Sequence, residues 1–230
     1  MFTTLKKNNG MTLVELLVVV VLTGIVTGVI YNVFISQSRA YTVQTAVAEM
    51  QQNLRAGIAF VMSEIRLAGY DPLDTDNAGF LTADTDTIEF TADLNEDGDT
   101  DDADDPNEHL IYTHYDSNGD GVIDALGRND VNTGLGSQLV AENIDALNFV
   151  YLDANRTVLT TPVATADLSS IRSIQITLLA RTGRRDPEYA NSRTYRNQNP
   201  DGPEVIYVAP GDNFRRRLLT TEIDCRNLHF

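Results

Sequence analysis

From Leu16 to Ile35 the chain is uncharged and mostly apolar, and beyond that run its apolar positions narrow to one face. Counted from Met11, the run is about 25 residues, which at ~1.5 Å per residue crosses a ~30 Å hydrocarbon core. Val43, Val47, Met50, Leu54, Gly57, Val61 and Ile65 then recur at spacings of three and four, with Arg39, Gln44, Glu49, Gln52, Arg55, Glu64 and Arg66 between them. That spacing predicts an amphipathic helix, and Gly69-Tyr70-Asp71-Pro72 supplies its stop. One helix is therefore expected from about Thr12 to Ala68, roughly 85 Å at the helical rise. Its apolar stripe suits the underside of a sheet in the same chain, or a seam between neighbouring helices. Gly24 and Gly28 add a small-residue spacing that permits close helix packing.

After the helix the period changes to two. Thr87 to Ala92 alternates, and His109 to Tyr115 forms a second strand, with Val122 to Leu126 returning as the other arm of a hairpin. Ala146 to Leu152, Ser173 to Ala180 and a closing segment near Arg217 to Ile223 complete the set. Strands that follow one long helix indicate an α+β fold with an antiparallel sheet packed on that helix. The boundaries are a leader over 1–10, an apolar helix over 11–35, its amphipathic continuation over 36–70, and a β-rich head over 71–230.

Charge changes this picture at one place. Of the net −16 carried by 230 residues, the segment from Asp71 to Asp130 holds 19 acidic residues against one basic residue, Arg128. A concentrated excess of this kind points to cation binding or strong solvation. No basic stripe exists to neutralise phosphates, so nucleic-acid binding is not expected. The single cysteine, Cys225, excludes an internal disulfide and any CxxC metal or redox motif, and reads as a small buried residue.

Two segments in the acidic region carry metal-ligand spacing. Asp116, Asn118, Asp120, the Val122 carbonyl and Asp124 stand at the first, third, fifth, seventh and ninth positions of an EF-hand-like loop, with Gly121 at the sharp turn. Asp93, Asn95, Asp97, Asp99 and Asp101 repeat the pattern, with Asp104 at the twelfth position. Hard oxygen donors converging along a turning backbone suit calcium, at one or two sites, with affinities on the order of 10⁻⁴–10⁻³ M. The twelfth position after Asp116 is Gly127, and the flanks read as strands, so neither loop is a complete EF-hand; polar turns between strands are the alternative.

Catalytic constellations are hard to find in the sequence, and its many carboxylates offer acid pairs of the glycosidase kind only as any acidic surface does by chance. His109 and His114 fall on opposite faces of one strand, His229 is penultimate, and no GxSxG, HExxH, Walker or dinucleotide motif occurs. Enzyme activity is not expected.

The N-terminus carries the most specific chemistry. Lys6 and Lys7 precede Gly10-Met11-Thr12-Leu13-Val14-Glu15, and the apolar run follows at once. The basic pair should stay cytoplasmic and send the C-terminal head outward. A secretory signal would place its cleavage site after a shorter apolar core, whereas here Gly10 lies before a longer one. Glu15 puts a carboxylate at the start of a helix that enters lipid, where it costs about 2.5–3.5 kcal/mol and needs a partner, unless it stays at the interface.

The stretch Gly10 to Leu16 resembles the prepilin cleavage and methylation motif of type IV pilins and type II secretion pseudopilins. The resemblance implies cutting by prepilin peptidase between Gly10 and Met11, N-methylation of Met11, and a Glu15 carboxylate that meets the N-terminal amine of a neighbouring subunit. Met11 stands where that family usually has Phe. Ser170 to Arg181, Arg215 to Ile223, and Arg226-Asn227-Leu228 are similar to the PilW group of minor pilins, related to the J-type minor pseudopilin of type II secretion. Arg215 to Arg217 either meet an acidic partner or flank the last strand on a solvated face.

The resemblance implies a pilin-like fold and a minor pilin that primes or initiates pilus assembly with other minor and major pilins. It would be single-pass in the bacterial inner membrane, surrounded by lipid before assembly, with its head in the periplasm, and would then reach the pilus at the cell surface. Two alternatives share the N-terminal features: a type II secretion minor pseudopilin, and a calcium-binding surface protein on an uncleaved anchor.

Overall fold

The structure is a computed structural model that describes residues 10–102 and 105–228. It divides into two compact units, one ending at Thr45 and one beginning at Ala46. A single helix, α1 (Leu13–Ile65), contributes to both. It stops three residues short of the expected Ala68, in a turn that leads to Gly69.

From Leu13 onward the first unit is helix. Its apolar residues, Leu13 to Phe34, are exposed throughout, and its hydroxyl side chains fold back on the helix, Thr23 donating to the Val19 carbonyl at 2.8 Å and Thr27 to Thr23 at 2.8 Å. This stretch is long and apolar enough to cross a membrane.

In the second unit the stripe read from the sequence is buried where it was expected. Met50, Leu54, Gly57, Val61 and Ile65 are buried together with Ala46 and Ile58, while Val47 is half-buried against the core. They pack on two antiparallel sheets. The first has the order β1 (Phe80–Ala83), β2 (Thr87–Thr91), β3 (His109–Tyr115), β4 (Ala125–Asp130) and β5 (Ser137–Glu142). The second has the order β11 (Arg216–Asp224), β8 (Ser173–Arg181), β6 (Ile144–Leu152) and β7 (Val158–Leu159). A separate pair, β9 (Thr194–Arg196) with β10 (Val205–Val208), completes the head.

One core serves helix and sheets. Leu147, Phe149 and Tyr151 of β6, with Ile174, Ile176 and Leu178 of β8, face the helix residues, and Phe90 and Tyr112 join them from the first sheet. The alternate positions of β6 and β8, among them Asn148 and Thr177, are also buried. Asn148 is satisfied there by Asn197, whose amide donates to it at 3.0 Å.

The α+β expectation is therefore correct, and one strand is displaced. Val122 and Ile123 are more than half exposed in a loop, and the strand begins only at Ala125. Its residues, Ala-Leu-Gly-Arg-Asn-Asp, hide the strand in polar composition; it is held by pairing with β3 and β5 on both sides.

Candidate functional site

In the first unit Thr12 and Glu15 close a reciprocal cap. The Glu15 amide donates to Thr12 Oγ1 at 3.3 Å, and the Thr12 amide donates to Glu15 Oε2 at 3.0 Å. The Thr12 hydroxyl reinforces it at 3.1 Å. This is the capping box written as Thr-x-x-Glu in the sequence, and it satisfies two of the amides that a helix start leaves without partners. The acid that heads the apolar helix is thus engaged within its own chain, beside exposed Gly10 and Met11. The rest of the leader lies outside the described residues.

In the head the Asp116 loop adopts the expected turn. Asp116 accepts the amides of Gly119 at 2.8 Å and Gly121 at 2.7 Å, Asn118 accepts Asp120, and Asp120 accepts Val122. The Gly121 bond is the main cause that holds the Asp116 carboxyl below its ordinary value. Asp124 faces Arg181 instead, at 2.9 Å. Gly127, the twelfth position, lies within β4, where an added Cβ would stand 2.6 Å from the Tyr115 ring. A bidentate acid at that position has no room.

The Asp93 loop is arranged differently. Asp93 is buried, and its two oxygens accept the amides of Glu96 at 2.7 Å and Gly98 at 3.1 Å. Gly98 takes φ +96, a region that only glycine enters readily. Asn95 donates to Asp97 and to Asp105, each at 2.8 Å. Ligand oxygens of Asp97, Asp99 and Asp105 lie within 4.8 Å of one another, as do those of Asp99, Asp101 and Asp102. Among the described residues these are the groupings of three or more acidic, histidine or cysteine side chains close enough to share an ion, and neither includes the Asp116 loop. Asp104 lies outside the described residues.

Asp105 was not among the ligands read from the sequence. It is 4% exposed, and burial, then the charges of Asp97, Glu108 and Asp99, push its carboxyl up to about 6. Glu108, also missed, is 2% exposed; one of its oxygens accepts the amides of Leu94 at 2.7 Å and Asn95 at 2.8 Å. The available signal was two more acids just past the twelve-residue loop and before β3.

The three arginines at 215–217 do not share one environment. Arg217 is exposed, Arg215 meets Asp186 at 2.8 Å, and the Arg216 side chain is 1% exposed between Asp145 and Asp212, each at 2.5 Å. The solvated-face reading fails for Arg216, because its guanidinium is neutralised by two carboxylates within the head. Arg181 extends the same chain of charges, meeting Asp145 at 2.6 Å and Asp124 at 2.9 Å. His109 pairs with Glu89 and His114 with the Ile144 carbonyl, so the two do not converge.

The prokaryotic N-terminal methylation motif matches residues 5–31, over the capped helix start, and the type IV pilus-assembly protein W family matches residues 113–227, half of the chain. The chain belongs to the type IV pilus-assembly protein W family. It is a minor pilin of the type IV pilin-like class, carrying the prepilin methylation motif. The family region runs from β3 to the last turn and so includes the Arg216 network, whereas the Asp93 loop precedes it. The motif implies processing by prepilin peptidase and association with other pilins, and with the apolar helix it indicates membrane anchoring. Membership of this family indicates a structural rather than a catalytic protein. No curated protein sequence matches the chain. Among solved structures it is similar to the type IV-like pilin TTHA1219 from Thermus thermophilus, with TM-score 0.49 and 13% identity over 78% of this chain and 98% of that one.

Proposed function

We propose that this minor pilin primes or initiates assembly of a type IV pilus, after cleavage between Gly10 and Met11 and methylation of Met11. The observation that carries the reading is the Thr12–Glu15 box at the head of an exposed apolar helix. In the inner membrane the box keeps the carboxylate satisfied in the lone subunit. When a second subunit arrives, its N-terminal amine offers Glu15 an opposite charge, and two opposite charges buried together in lipid cost far less than either alone. The helix then leaves lipid for a bundle of pilin helices, with the head on the periplasmic side and afterwards on the cell surface. In the head, calcium held in the acidic segment stiffens the stretch between β2 and β4.

The test is a strain of the native bacterium lacking this chain, complemented with wild type or Glu15→Gln. A priming role requires that surface pili fall at least tenfold while the major pilin accumulates normally in the membrane, with wild type but not Glu15→Gln restoring them. Normal piliation with defective export of a secreted protein would instead assign the chain to a type II secretion system.

A further inference from the structure

Asp97, Asp99 and Asp105 bring three carboxylates within 4.8 Å, and the donors among them are the Asn95 amide, shared by Asp97 and Asp105, and the Asp99 backbone N–H, which reaches Asp97 Oδ1 at 3.2 Å. Proximity of acids on a surface is commonplace, but these are partly enclosed. Among the described residues, Asp105 Oδ2 and Asp99 Oδ1 are buried without a hydrogen-bond donor, and so is the second oxygen of the neighbouring Glu108, itself 2% exposed. A buried carboxylate oxygen with no donor is costly, and like charges beside it add to that cost. Among the described residues no basic side chain reaches these oxygens; a cation would relieve the arrangement.

We infer that Asp97, Asp99 and Asp105 bind one calcium ion, with Glu108 as the positioning residue that fixes the loop behind them. This deepens the calcium reading above and rests on it, but replaces the ligand set read from the sequence. Asp93, whose oxygens both serve backbone amides, organises the loop rather than completing the cage. Asp105, beyond the twelve-residue pattern, supplies the buried ligand. The donors are carboxylates alone, hard ligands that favour calcium over a transition metal. Turning the Asn95 amide would add a neutral oxygen.

The site stands where several elements meet. The Asp93 amide donates to the Tyr70 carbonyl just after α1, Asn77 donates to the Gly98 carbonyl at 2.9 Å, and Asn132 donates to the carbonyls of Thr100 and Asp105. An ion that closes the loop therefore braces the exit of the helix against the turn between β4 and β5.

The experiment uses full-length protein in detergent, with thermal unfolding and calorimetric calcium titration of wild type, Asp105→Asn, Asp97→Asn and the double variant Asp116→Asn/Asp120→Asn. Calcium should raise the wild-type midpoint and bind with a stoichiometry of one. Asp105→Asn should weaken binding at least tenfold, yet in chelator unfold at a higher temperature than wild type, because it removes a buried charge from beside its neighbours. A residue important only for packing would not show that reversal. Asp97 is exposed, so Asp97→Asn gives a second loss of binding without a change in the core. The Asp116 double variant should bind as wild type does. Binding lost only in that double variant, or unchanged in both Asp105→Asn and Asp97→Asn, overturns this site while the broader calcium reading survives; no calcium effect on wild type up to ~10 mM overturns both. Neither result depends on whether the protein enters a pilus.

Discussion

Arg128 of β4 meets Glu64 of α1 across the head, with Nε 2.9 Å from Oε2, and Tyr112 of β3 donates its hydroxyl to the same carboxylate. Both charged side chains are at least four-fifths buried, and Asn107 accepts a further bond from the guanidinium at 2.6 Å. The only basic residue in the acidic segment is thus used to tie the last turns of the helix to the first sheet. Removing one member strands the other. Arg128→Ala is expected to cost about 3–5 kcal/mol and Tyr112→Phe about 1 kcal/mol, read by chemical denaturation in detergent. A loss below 1 kcal/mol for Arg128→Ala would show that the pair does not hold the helix.

Acid should loosen the last third of the head first. The Arg216 and Arg215 guanidinium groups hold the Asp212 and Asp186 carboxyls below their ordinary values. For a depressed carboxyl, the contribution to stability is present above the unfolded value, near ~3.9, and is lost as pH falls through the lower folded one. Protection from hydrogen exchange over residues 182–216, taken relative to the intrinsic rate at each pH, is therefore expected to be flat from pH 7 to about 5 and to fall below about 4. Protection that changes instead between pH 5 and 7 would assign the coupling to other groups.

Cys225 is fully buried and burial pushes its thiol up to about 12 from 9.0. The thiolate is the reactive form, and at neutral pH the shift alone lowers its population about a thousandfold, an effect that the higher intrinsic nucleophilicity of such a thiolate offsets in part and that burial of the sulfur reinforces. Alkylation of folded protein should be slower by at least about tenfold than in denaturant. Fast labelling in the native state would mean that the end of β11 opens readily.

Thr12 and Glu15 separate two roles that the sequence overlays. Gln preserves the capping box, so Glu15→Gln should leave helix content unchanged while abolishing crosslinking to neighbouring subunits. Thr12→Ala should cost about 1 kcal/mol of helix-start stability and retain crosslinking at a reduced level. Equal loss in both variants would indicate that the carboxylate acts through the cap alone.

What was legible in the sequence follows from where its periodicity meets burial. The stripe from Met50 to Ile65 and strands β3, β6 and β8 were read nearly to the residue, because each buries apolar side chains at its own period, and β11 was read as well although only Ile223 in it is fully buried. Strand β5 was not: Ser137, Gln138 and Leu139 are exposed at an edge, and the strand exists through its pairing with β4. Strands β1, β7, β9 and β10 are four residues or shorter, too brief to show a period. Asp105 and Arg216 escaped for the opposite reason. Their types suggest solvent, and only tertiary neighbours, carboxylates in both cases, reveal them as buried.

The central claim is that the chain is a processed subunit of a pilus, and mass spectrometry of its N-terminal peptide tests it most directly, in sheared surface fibres and in the remaining membranes of the native bacterium. The expected result is a chain in the fibres that begins at a methylated Met11. A chain that retains residues 1–10 in both fractions would contradict the account.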